Sequence, residues 1–384
     1  MEHVKKMIGQ VFEDIATGLE TGNLGGRPRI GLTLLGSEHG EEELLRGAEL
    51  AQAEDSGMEV VVIGRPMQTA LTLIEAADEK EAHEKMDAML LSGELKAAVT
   101  LHYSFPIGVS TVGRVITPAL GRRVYIANTT GTSDTDRVSA MLKNTIAGIA
   151  AAKACGNPRP TVGILNLDGA RQVERALNKL KEAGYDIHFS ESARSDGGVV
   201  MRGNDLLQGV CDIMVMDSLS GNVMIKMLSA YQSGGSYEAL GDAYGPGIGP
   251  GYDRIIHIIS RASGAPVVAG ALKYAGATAR GNLLEKVQAE FQAAKKAGLD
   301  GILEAIAESN RPAAAEEKVQ APPEKIVTEE ITGIEILVLE DAVQALWRRG
   351  VYASSGMGCT GPVVLVAPED FSSAVAVLKE AEFL

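Results

Sequence analysis

Short apolar runs alternate with longer stretches in which apolar residues recur every three or four positions. The runs predict buried strands, and the recurring apolar positions predict helices with one buried face. Predicted strands lie at residues 29–35, 60–63, 97–101, 124–127, 161–166, 185–190, 211–217 and 266–269. Predicted helices lie at residues 2–20, from 41 onward, 69–91, up to about 154, 169–183, from 221 onward and 281–297. This alternation is typical of an α/β fold with a doubly wound parallel sheet.

Two segments fit neither pattern cleanly. Residues 252–259 suit either a helix or a strand, and residues 102–120 remain unassigned because small and apolar residues are mixed there with two prolines. The glycine-rich segment 245–251 contains prolines, which lack an N–H donor, so we interpret it as an ordered loop rather than a nucleotide-binding turn.

The composition changes at residue 310. Residues 311–325 have no periodic apolar face and are rich in Pro, Ala and Glu, which is typical of a linker. We therefore divide the chain into a main α/β domain (1–309, with room for two lobes), a linker (310–330) and a small βαβα unit (331–384). The unit's predicted strands are 335–339 and 363–366, and its predicted helices are 341–349 and 369–379. A flexible linker of this length spans roughly 20–25 Å, so we expect the unit to reach a cleft in the main domain.

Charge and composition exclude several classes of function. The 36 basic and 50 acidic residues give a net charge of −14, which argues against nucleic acid or an anionic membrane as the main partner. The N-terminal residues lack the apolar core of a signal peptide, and no apolar run is long enough to span a bilayer, so we expect a cytoplasmic protein. The three cysteines form no CxxC pair, which fits a reducing compartment. No metal-binding motif or nucleotide loop is present, and we expect no metal or cofactor.

One cysteine, Cys359, lies in a glycine-rich segment at 354–362. Flanking glycines such as Gly358 and Gly361 leave backbone N–H groups accessible, and these amides are able to stabilise a thiolate or bind an acyl oxygen. This pattern favours a covalent catalytic cysteine. The alternative is a tight turn in which the thiol is a small apolar residue. The residues alone leave both interpretations open.

Three further sites are candidates for ligand binding. A buried strand ends at Asp217-Ser218, and the helix predicted to begin near Gly221-Asn222 would offer its N-terminus to phosphate. His39 lies in the turn 36–40 after the first strand, where doubly wound folds bind ligands. Lys273, like Arg280, lies in a neutral, glycine-rich stretch. The alternative for Asp217-Ser218 is a capped turn without a ligand. The alternative for His39 is a solvated loop histidine, and that for Lys273 and Arg280 is a solvated surface.

Residues 28–305 resemble the bacterial phosphate acyltransferases, which make acyl phosphate from acyl carrier protein. The similarity is carried by the segment 212–226 with its Asp-Ser-x-x-Gly-Asn-Val-x-Ile-Lys pattern, by Arg202-Gly203-Asn204-Asp205, and by Gly36-Ser37-Glu38-His39-Gly40. In the last segment, Ser37 and Glu38 replace the Gly and Asp of the family. The resemblance implies a three-layer α/β/α fold related to phosphotransacetylase and isocitrate dehydrogenase, with a cleft for phosphate and an acyl group.

The whole chain, tail included, resembles the protein C alpha subunits of the glycine, sarcosine and betaine reductase complexes of amino-acid-fermenting anaerobes. Only this resemblance selects the catalytic interpretation of Cys359, which matches the family's Gly-x-Gly-Cys-Thr-Gly-Pro motif. It implies that Cys359 accepts an acetyl group derived from carboxymethylated selenoprotein A, and that phosphate releases this group as acetyl phosphate. It also implies the protein C beta subunit and selenoprotein A as partners, in an oligomeric assembly.

Two other functions remain as alternatives. A free-standing phosphate acyltransferase would act on acyl thioesters with a merely structural Cys359, and a scaffold would bind the beta subunit without catalysis. A dehydrogenase of the related fold is disfavoured, because the sequence lacks a nucleotide loop and metal-binding carboxylates.

Overall fold

The structure, a computed structural model, describes residues 12, 16, 26–195, 197–309, 319–334, 338–358, 361–381 and 383–384. The chain separates into two compact units, Met1–Ser309 and Asn310–Leu384. The helix predicted at 2–20 lies outside the described residues, apart from Phe12 and Ala16. None of the described helices is both long and apolar enough to span a bilayer.

The first unit is built on one 12-stranded sheet with the order β3-β2-β1-β4-β12-β11-β5-β6-β10-β7-β8, and β9 also pairs with β7. The strands before the midpoint of the chain are β1 (Arg29–Thr33), β2 (Glu59–Gly64), β3 (Thr72–Glu75), β4 (Ala97–Thr100), β5 (Val109–Ile116) and β6 (Arg123–Thr132). The later strands are β7 (Thr161–Leu165), β8 (His188–Phe189), β9 (Val200–Met201), β10 (Ile213–Val215), β11 (Gly245–Ile248) and β12 (Ile256–Ile258).

The sheet contains two parallel blocks that run in opposite directions. Strands β3, β2, β1, β4 and β12 form one parallel block, and β6, β10, β7, β8 and β9 form the other. Between them, the pairings β12–β11, β11–β5 and β5–β6 are antiparallel. Because three successive pairings are antiparallel, the strands of the second block run in the direction opposite to those of the first. The carboxyl ends of β1 and β12 therefore lie at one edge of the sheet, and those of β6 and β10 lie at the other edge.

Helices cover both faces of the sheet. They are α1 (Glu41–Glu54), α2 (Glu79–Leu91), α3 (Arg137–Ala154), α4 (Ala170–Glu182), α5 (Gly203–Gln208), α6 (Ser218–Ala230), α7 (Ala265–Arg280), α8 (Leu283–Lys296) and α9 (Leu299–Ser309). Alternate residues of β2 face opposite layers: Val60 and Val62 join the core under α1 and α7, whereas Val61 and Ile63 join the core under α2. Both faces are buried, which explains why such strands are continuous apolar runs. The three-layer α/β/α fold is thus confirmed.

Helix α3 is the most deeply buried helix of this unit, with 14 residues from Val138 to Ala154 buried. It packs on β6 and β10 and is covered by α4 and α8. Helix α6 lies on the face of β6 opposite to α3. A Cβ at Gly148 of α3 would approach the Ala127 side chain, and a Cβ at Gly221 of α6 would approach the Ile126 side chain. Ile126 and Ala127 are consecutive in β6, so their side chains point to opposite faces of the sheet.

Three predicted elements of this unit are wrong. Residues 72–75 form the edge strand β3, and only the later part of 69–91 is helical, beginning after the Asp78 cap. The segment interpreted as a loop at 245–251 contains β11, where glycine is required because a Cβ at Gly245 would lie 1.7 Å from the Val112 carbonyl oxygen. The run 266–269 belongs to α7, where Pro266 occupies the favoured first turn of a helix. The unassigned segment 102–120 supplies β5.

The second unit has its own small core. Its elements are β13 (Glu329–Ile331), α10 (Leu339–Arg348), β14 (Ala353–Gly358), β15 (Gly361–Val366) and α11 (Phe371–Glu380). The three strands are antiparallel in the order β13-β15-β14. The order of elements along this unit differs from the predicted βαβα. Leu339, the last residue of the predicted strand 335–339, begins a helix, and residues 354–358 form a strand rather than a loop. Residues 335–337 of the predicted strand lie outside the described residues.

Candidate active site

The turn 36–40 follows β1 at the carboxyl edge of the first block. Its Glu38 N–H donates a hydrogen bond to the Arg261 carbonyl oxygen at 2.9 Å, which ties this turn to the loop after β12. The His39 ring packs against Tyr237, with ring centroids 5.2 Å apart. Two strand-end loops therefore meet at this edge, where open α/β sheets bind their ligands.

A cavity of about 510 Å³, the large cavity, opens beside these loops. It is lined by Glu38, Lys226, Met227, Ala230, Tyr231, Gly235, Glu238, Ser260 and Ala262. Its volume and its mixture of apolar walls with a few polar groups are typical of a small-molecule site. Lys226 supplies the positive charge among the lining residues, and Glu38 and Glu238 supply negative charge.

The carboxylates near this cavity are held by hydrogen bonds. Glu238 is 3% exposed, and its two oxygens accept hydrogen bonds from the Tyr244 hydroxyl at 2.8 Å and the Ser263 hydroxyl at 2.7 Å. Glu43 accepts from the Tyr237 hydroxyl and from the Ala265 N–H. Burial raises the pKa of Glu43, but these two hydrogen bonds and nearby Arg46 outweigh burial and lower its pKa below the usual range. The contacts of Glu238 hold one wall of the large cavity, and those of Glu43 join α1 to Tyr237 and to the start of α7.

Helix α6 begins at Ser218, three residues before the predicted start at Gly221. The Asp217 carboxylate caps the helix by accepting a hydrogen bond from the Ser220 N–H at 2.8 Å. The Gly221 N–H donates to the Asp217 carbonyl oxygen at 3.0 Å, so it is not free to bind an anion. The Asn222 side-chain amide donates to the Thr129 carbonyl oxygen at 3.0 Å. Gly221 and Asn222 therefore attach α6 to β6, and the free helix end lies at Ser218.

A second cavity of about 210 Å³, the small cavity, lies at this free end. It is lined by Asn128, Thr132, Asp134, Thr135, Arg137, Ala140, Asn144, Asp217, Ser218 and Leu219. The first residues of both α3 and α6 border it, so two helix N-termini face one space. Asp134 forms an ion pair with Lys143 at 2.5 Å, which neutralises one of the two lining carboxylates.

The two cavities lie at opposite ends of α6. Ser218 and Leu219 border the small cavity, whereas Lys226, Met227 and Ala230 border the large one. A helix of 13 residues is about 20 Å long. The turn carrying His39 and the helix start carrying Asp217 and Ser218 are therefore not brought together. The opposed direction of the two strand blocks is the cause, because it places their carboxyl ends at opposite edges.

Lys273 and Arg280 lie on α7 and form ion pairs with residues at the end of α1. Lys273 pairs with Glu54, and Arg280 pairs with Asp55 at 2.9 Å. Neither residue is among those that line the two cavities. Their positions support helix packing rather than a direct contact with a ligand there.

Cys359 lies outside the described residues. The strands on either side of it pair in register up to Gly358 and Gly361, so the chain between these paired glycines comprises only Cys359 and Thr360. The two described cysteines are poor candidates for a reactive thiol. Burial raises the pKa of Cys155, and burial raises the pKa of Cys211 to about 12.

Several lining residues of the large cavity were not among the predicted site residues. Ser260 and Ala262 follow β12, and the position of this loop after a strand was the available signal. Lys226 belongs to the 212–226 motif but lies about two turns after the start of α6. At that position the sequence does not indicate which cavity the side chain borders, and the structure does. Among the described residues, no group of three or more His, Cys, Asp or Glu side chains is placed to hold a metal ion.

Residues 28–365 match the family described as "Fatty acid synthesis protein", and the chain belongs to that family. Over 381 residues it is 54% identical to the glycine/sarcosine/betaine reductase complex component C subunit alpha of Peptoclostridium acidaminophilum, an alignment that covers 99% of both chains. The resemblance to the protein C alpha subunits is thereby confirmed.

Other relatives match a smaller part of the chain. Over 236 residues the chain is 28% identical to the phosphate acyltransferase of Thermotoga petrophila, covering 53% of this chain and 68% of that relative. Among solved structures, a branched-chain phosphotransacylase from Enterococcus faecalis aligns with a TM-score of 0.47 and 14% identity, covering 65% of this chain and 99% of that chain.

Proposed function

We propose that the protein is the acetyl-transfer subunit of a glycine, sarcosine or betaine reductase complex. The observation that carries this proposal is the 54% identity over 99% of both chains, which includes the second unit and Cys359. The phosphate acyltransferase relatives support an acyl-transfer role for the first unit. The partners of such a subunit would be the protein C beta subunit and selenoprotein A, and the protein would act in the cytoplasm.

In this proposal Cys359 carries an acetyl group as a thioester. A phosphate oxygen attacks the thioester carbonyl carbon, the carbon–sulfur bond breaks, and Cys359 leaves as a thiolate while acetyl phosphate is released. A thioester suits this role because its sulfur is a good leaving group. Phosphate is a weak nucleophile, so the protein contributes most by holding it in line with the carbonyl and by stabilising the oxyanion.

The large cavity is the proposed place for this step in the first unit. It lies at the carboxyl edge of β1 and β12, and it combines the Lys226 ammonium with the apolar side chains of Met227 and Tyr231. The ammonium attracts phosphate and balances the charge that develops during the attack, while the apolar wall accepts the acetyl methyl group. The two Glu238 oxygens accept hydrogen bonds from the Tyr244 and Ser263 hydroxyls, which hold this carboxylate in the cavity wall.

The small cavity is the alternative place for phosphate. Ser218 and the ends of α3 and α6 offer a hydroxyl and two helix dipoles, which favour an anion. Asp217 carries a negative charge in the same wall, and Arg137, which pairs with Asp168, carries a positive one. Because about 10 Å of helix separates Leu219 of the small cavity from Lys226 of the large one, variants at Ser218 and Lys226 distinguish the two cavities.

The test uses full-length protein acetylated on Cys359 and follows phosphate-dependent loss of the acetyl group. For Lys226→Ala we expect the phosphate concentration that gives half-maximal release to rise about 10- to 100-fold, the value of one lost charge-assisted contact. Lys286→Ala, which removes an exposed lysine on α8, is the matched control and should release acetyl like the wild type.

Ser218→Ala is the discriminating variant. It should leave release unchanged if phosphate binds in the large cavity. Impaired release in Ser218→Ala with normal release in Lys226→Ala would move phosphate to the small cavity. Normal release in both variants would contradict a phosphate site at either end of α6.

A further inference from the structure

One outer strand of the sheet in the second unit has an unpaired side. In the order β13-β15-β14, the strands β13 and β14 are the outer ones, and β15 lies between them. The side of β14 that faces away from β15, which we call the β14 edge, pairs with no strand among the described residues. Such an edge offers backbone N–H and carbonyl groups to an added strand.

The pairing shows which backbone groups of β14 point outward. The Val366 carbonyl oxygen accepts a hydrogen bond from the Thr328 N–H at 3.1 Å, so the backbone groups of Val366 point toward β13. Ala353 is opposite Val366, and these groups alternate in direction along a strand, so those of Ala353 and Ser355 point away from β15. The Trp347 indole N–H agrees with this direction, because it donates to the Ala353 carbonyl oxygen at 2.8 Å. The exposed residue Ser355 therefore presents its N–H and carbonyl group at the β14 edge.

The two outer strands differ in how well they are protected against an added strand. Strand β13 has three residues, two of which are Glu329 and Glu330, and short charged edges discourage pairing. Strand β14 has six residues without a charge or a proline, and its register with β15 contains no bulge. Glu340 of α10 lies beside β14, and its carboxylate accepts from Ser355 Oγ at 2.6 Å. This contact is on the face that carries the Ser355 side chain, and it leaves the backbone groups of the β14 edge uncovered.

We propose that the protein that delivers the acyl group to Cys359 binds this unit by adding one of its extended segments as a strand along the β14 edge. This proposal rests on the proposed function of Cys359. The chain between the paired glycines Gly358 and Gly361 comprises only Cys359 and Thr360. A donor protein that reacts with Cys359 must therefore lie beside this hairpin, and a strand added to β14 would hold it there. In this mode of recognition, backbone hydrogen bonds supply affinity and the side chains of the added strand supply specificity.

Charge and chemistry favour a donor segment over a second copy of this chain. Residues 310–384 contain 12 acidic and 6 basic residues, so two copies of this unit repel each other. Each copy also carries the acceptor cysteine, so pairing of two β14 edges would bring no acyl donor to the hairpin. The occupant that fits is an extended segment without acidic side chains.

Ser355→Pro tests the β14 edge directly. Proline removes the outward N–H of residue 355 and places its ring there, and an edge strand tolerates proline where this N–H faces solvent. Ser355→Ala is the matched control, because it removes the hydroxyl and keeps the N–H. Isothermal titration calorimetry measures binding of each full-length protein to carboxymethylated selenoprotein A. We expect Ser355→Pro to raise the dissociation constant at least about 10-fold and Ser355→Ala to change it by less than about two-fold.

A second measurement uses the wild type and does not depend on the folding of a variant. Amide hydrogen exchange, followed by mass spectrometry of peptides, compares the full chain with and without carboxymethylated selenoprotein A. We expect slower exchange in the peptide that contains β14. The peptide that contains β13 is the internal control and should exchange at an unchanged rate.

Several results would overturn the proposal. They are an absence of binding by the wild type, equal affinities of Ser355→Pro and Ser355→Ala, and unchanged exchange in β14. Exchange in β14 that slows with increasing concentration of the chain alone would show that a second copy occupies the edge, and would also overturn it. Neither measurement requires acyl transfer. Failure of the proposed function, seen as wild-type protein that gains no acetyl group from acetyl phosphate, is therefore distinguishable from failure of this proposal.

Discussion

At the crossing of α6 over β6, Gly221 leaves no space for a side chain. A Cβ at this position would lie 1.7 Å from the Asn128 carbonyl oxygen, which is part of the backbone and unable to move aside cheaply. We expect Gly221→Ala to lower the free energy of unfolding by about 1–3 kcal/mol, the usual cost of overpacking. Chemical denaturation monitored by circular dichroism measures this change.

Gly301 provides the control for that substitution. It lies inside α9, and apart from its chain neighbours and the nearby backbone of its own helix no atom lies within 4 Å of the position that a Cβ would occupy there. Because alanine favours a helix interior by about 1 kcal/mol over glycine, Gly301→Ala should be neutral or stabilising. Equal stability of Gly221→Ala and wild type would contradict the packing role.

Gly221 also shows which part of the site the sequence did not predict. A glycine and an asparagine near a strand–helix junction suggested an anion site, and the strand and helix are indeed present. The position of the helix start depended on the Asp217 cap, which moves the free N–H groups to Ser218. The close approach to Asn128 depends on a strand about 90 residues earlier in the chain, which no local pattern reveals.

His257 gives a prediction for pH dependence. It is fully buried, its Nε2 lies 3.0 Å from Thr278 Oγ1, and its Nδ1 has no hydrogen-bond partner among the described residues. Burial, together with nearby Arg114, lowers the pKa of His257 to about 3. Between that value and the ordinary pKa of about 6.5, the unfolded state binds the proton and the folded state does not. Stability must therefore fall as the pH falls below about 6.5.

The size of this effect follows from linkage. From pH 6.5 to pH 5 the wild type should lose about 2 kcal/mol more than His257→Gln, in which the titrating group is absent. Urea denaturation at a series of pH values measures the difference. Parallel pH profiles for the two proteins would show that His257 is not held neutral by the fold.

At the scale of elements, a buried ion cluster joins the antiparallel centre of the sheet to the loop before β11. The Asp242 carboxylate accepts from Arg114 Nε of β5 at 2.7 Å and from Arg123 Nε of β6 at 3.1 Å. The Asp242 side chain is 4% exposed and that of Arg114 is 12% exposed. Removing the charge of Asp242 leaves the Arg114 guanidinium buried without its counter-ion.

We therefore expect Asp242→Asn to lower the free energy of unfolding by about 3–5 kcal/mol. Asp168→Asn is the control, because the pair Asp168–Arg137 is more than half exposed on both sides and should contribute at most about 1 kcal/mol. Thermal and chemical denaturation of the two variants would measure the contrast. A loss of similar size in both would show that the Asp242 cluster is no more important than a surface pair.

The elements also differ in how well the sequence predicted them. Strands β1, β2, β4 and β7 are buried on both faces, so each appears as an apolar run and each was predicted. Strands β5 and β11 contain Ser, Thr, Arg, Gly and Pro, because their backbones pack closely against neighbouring strands, and they carried no clear pattern. These two missed strands supply the antiparallel pairings that reverse the second block. The sequence pattern therefore did not predict that the two cavities lie apart.

At the scale of the whole molecule, each unit has its own core. In the second unit Leu346, Val364 and Leu378 are fully buried within a cluster separate from the core of the first unit. The proposal gives the units different tasks: the second carries the acetyl group on Cys359, and the first binds the phosphate that removes it. The division into domain, linker and tail rests on the sequence, and the proposed relay requires the tail to bring Cys359 to the first unit.

The most direct test of this relay is the intact mass of the full-length protein after incubation with acetyl phosphate, for wild type and Cys359→Ala. In this reverse reaction the thiolate attacks the acetyl carbon, phosphate leaves, and the protein gains one acetyl group. We expect this gain in the wild type, its absence in Cys359→Ala, and its reversal when phosphate is added. No gain in the wild type, or a gain that persists in Cys359→Ala, would contradict the role of Cys359 as the acetyl carrier.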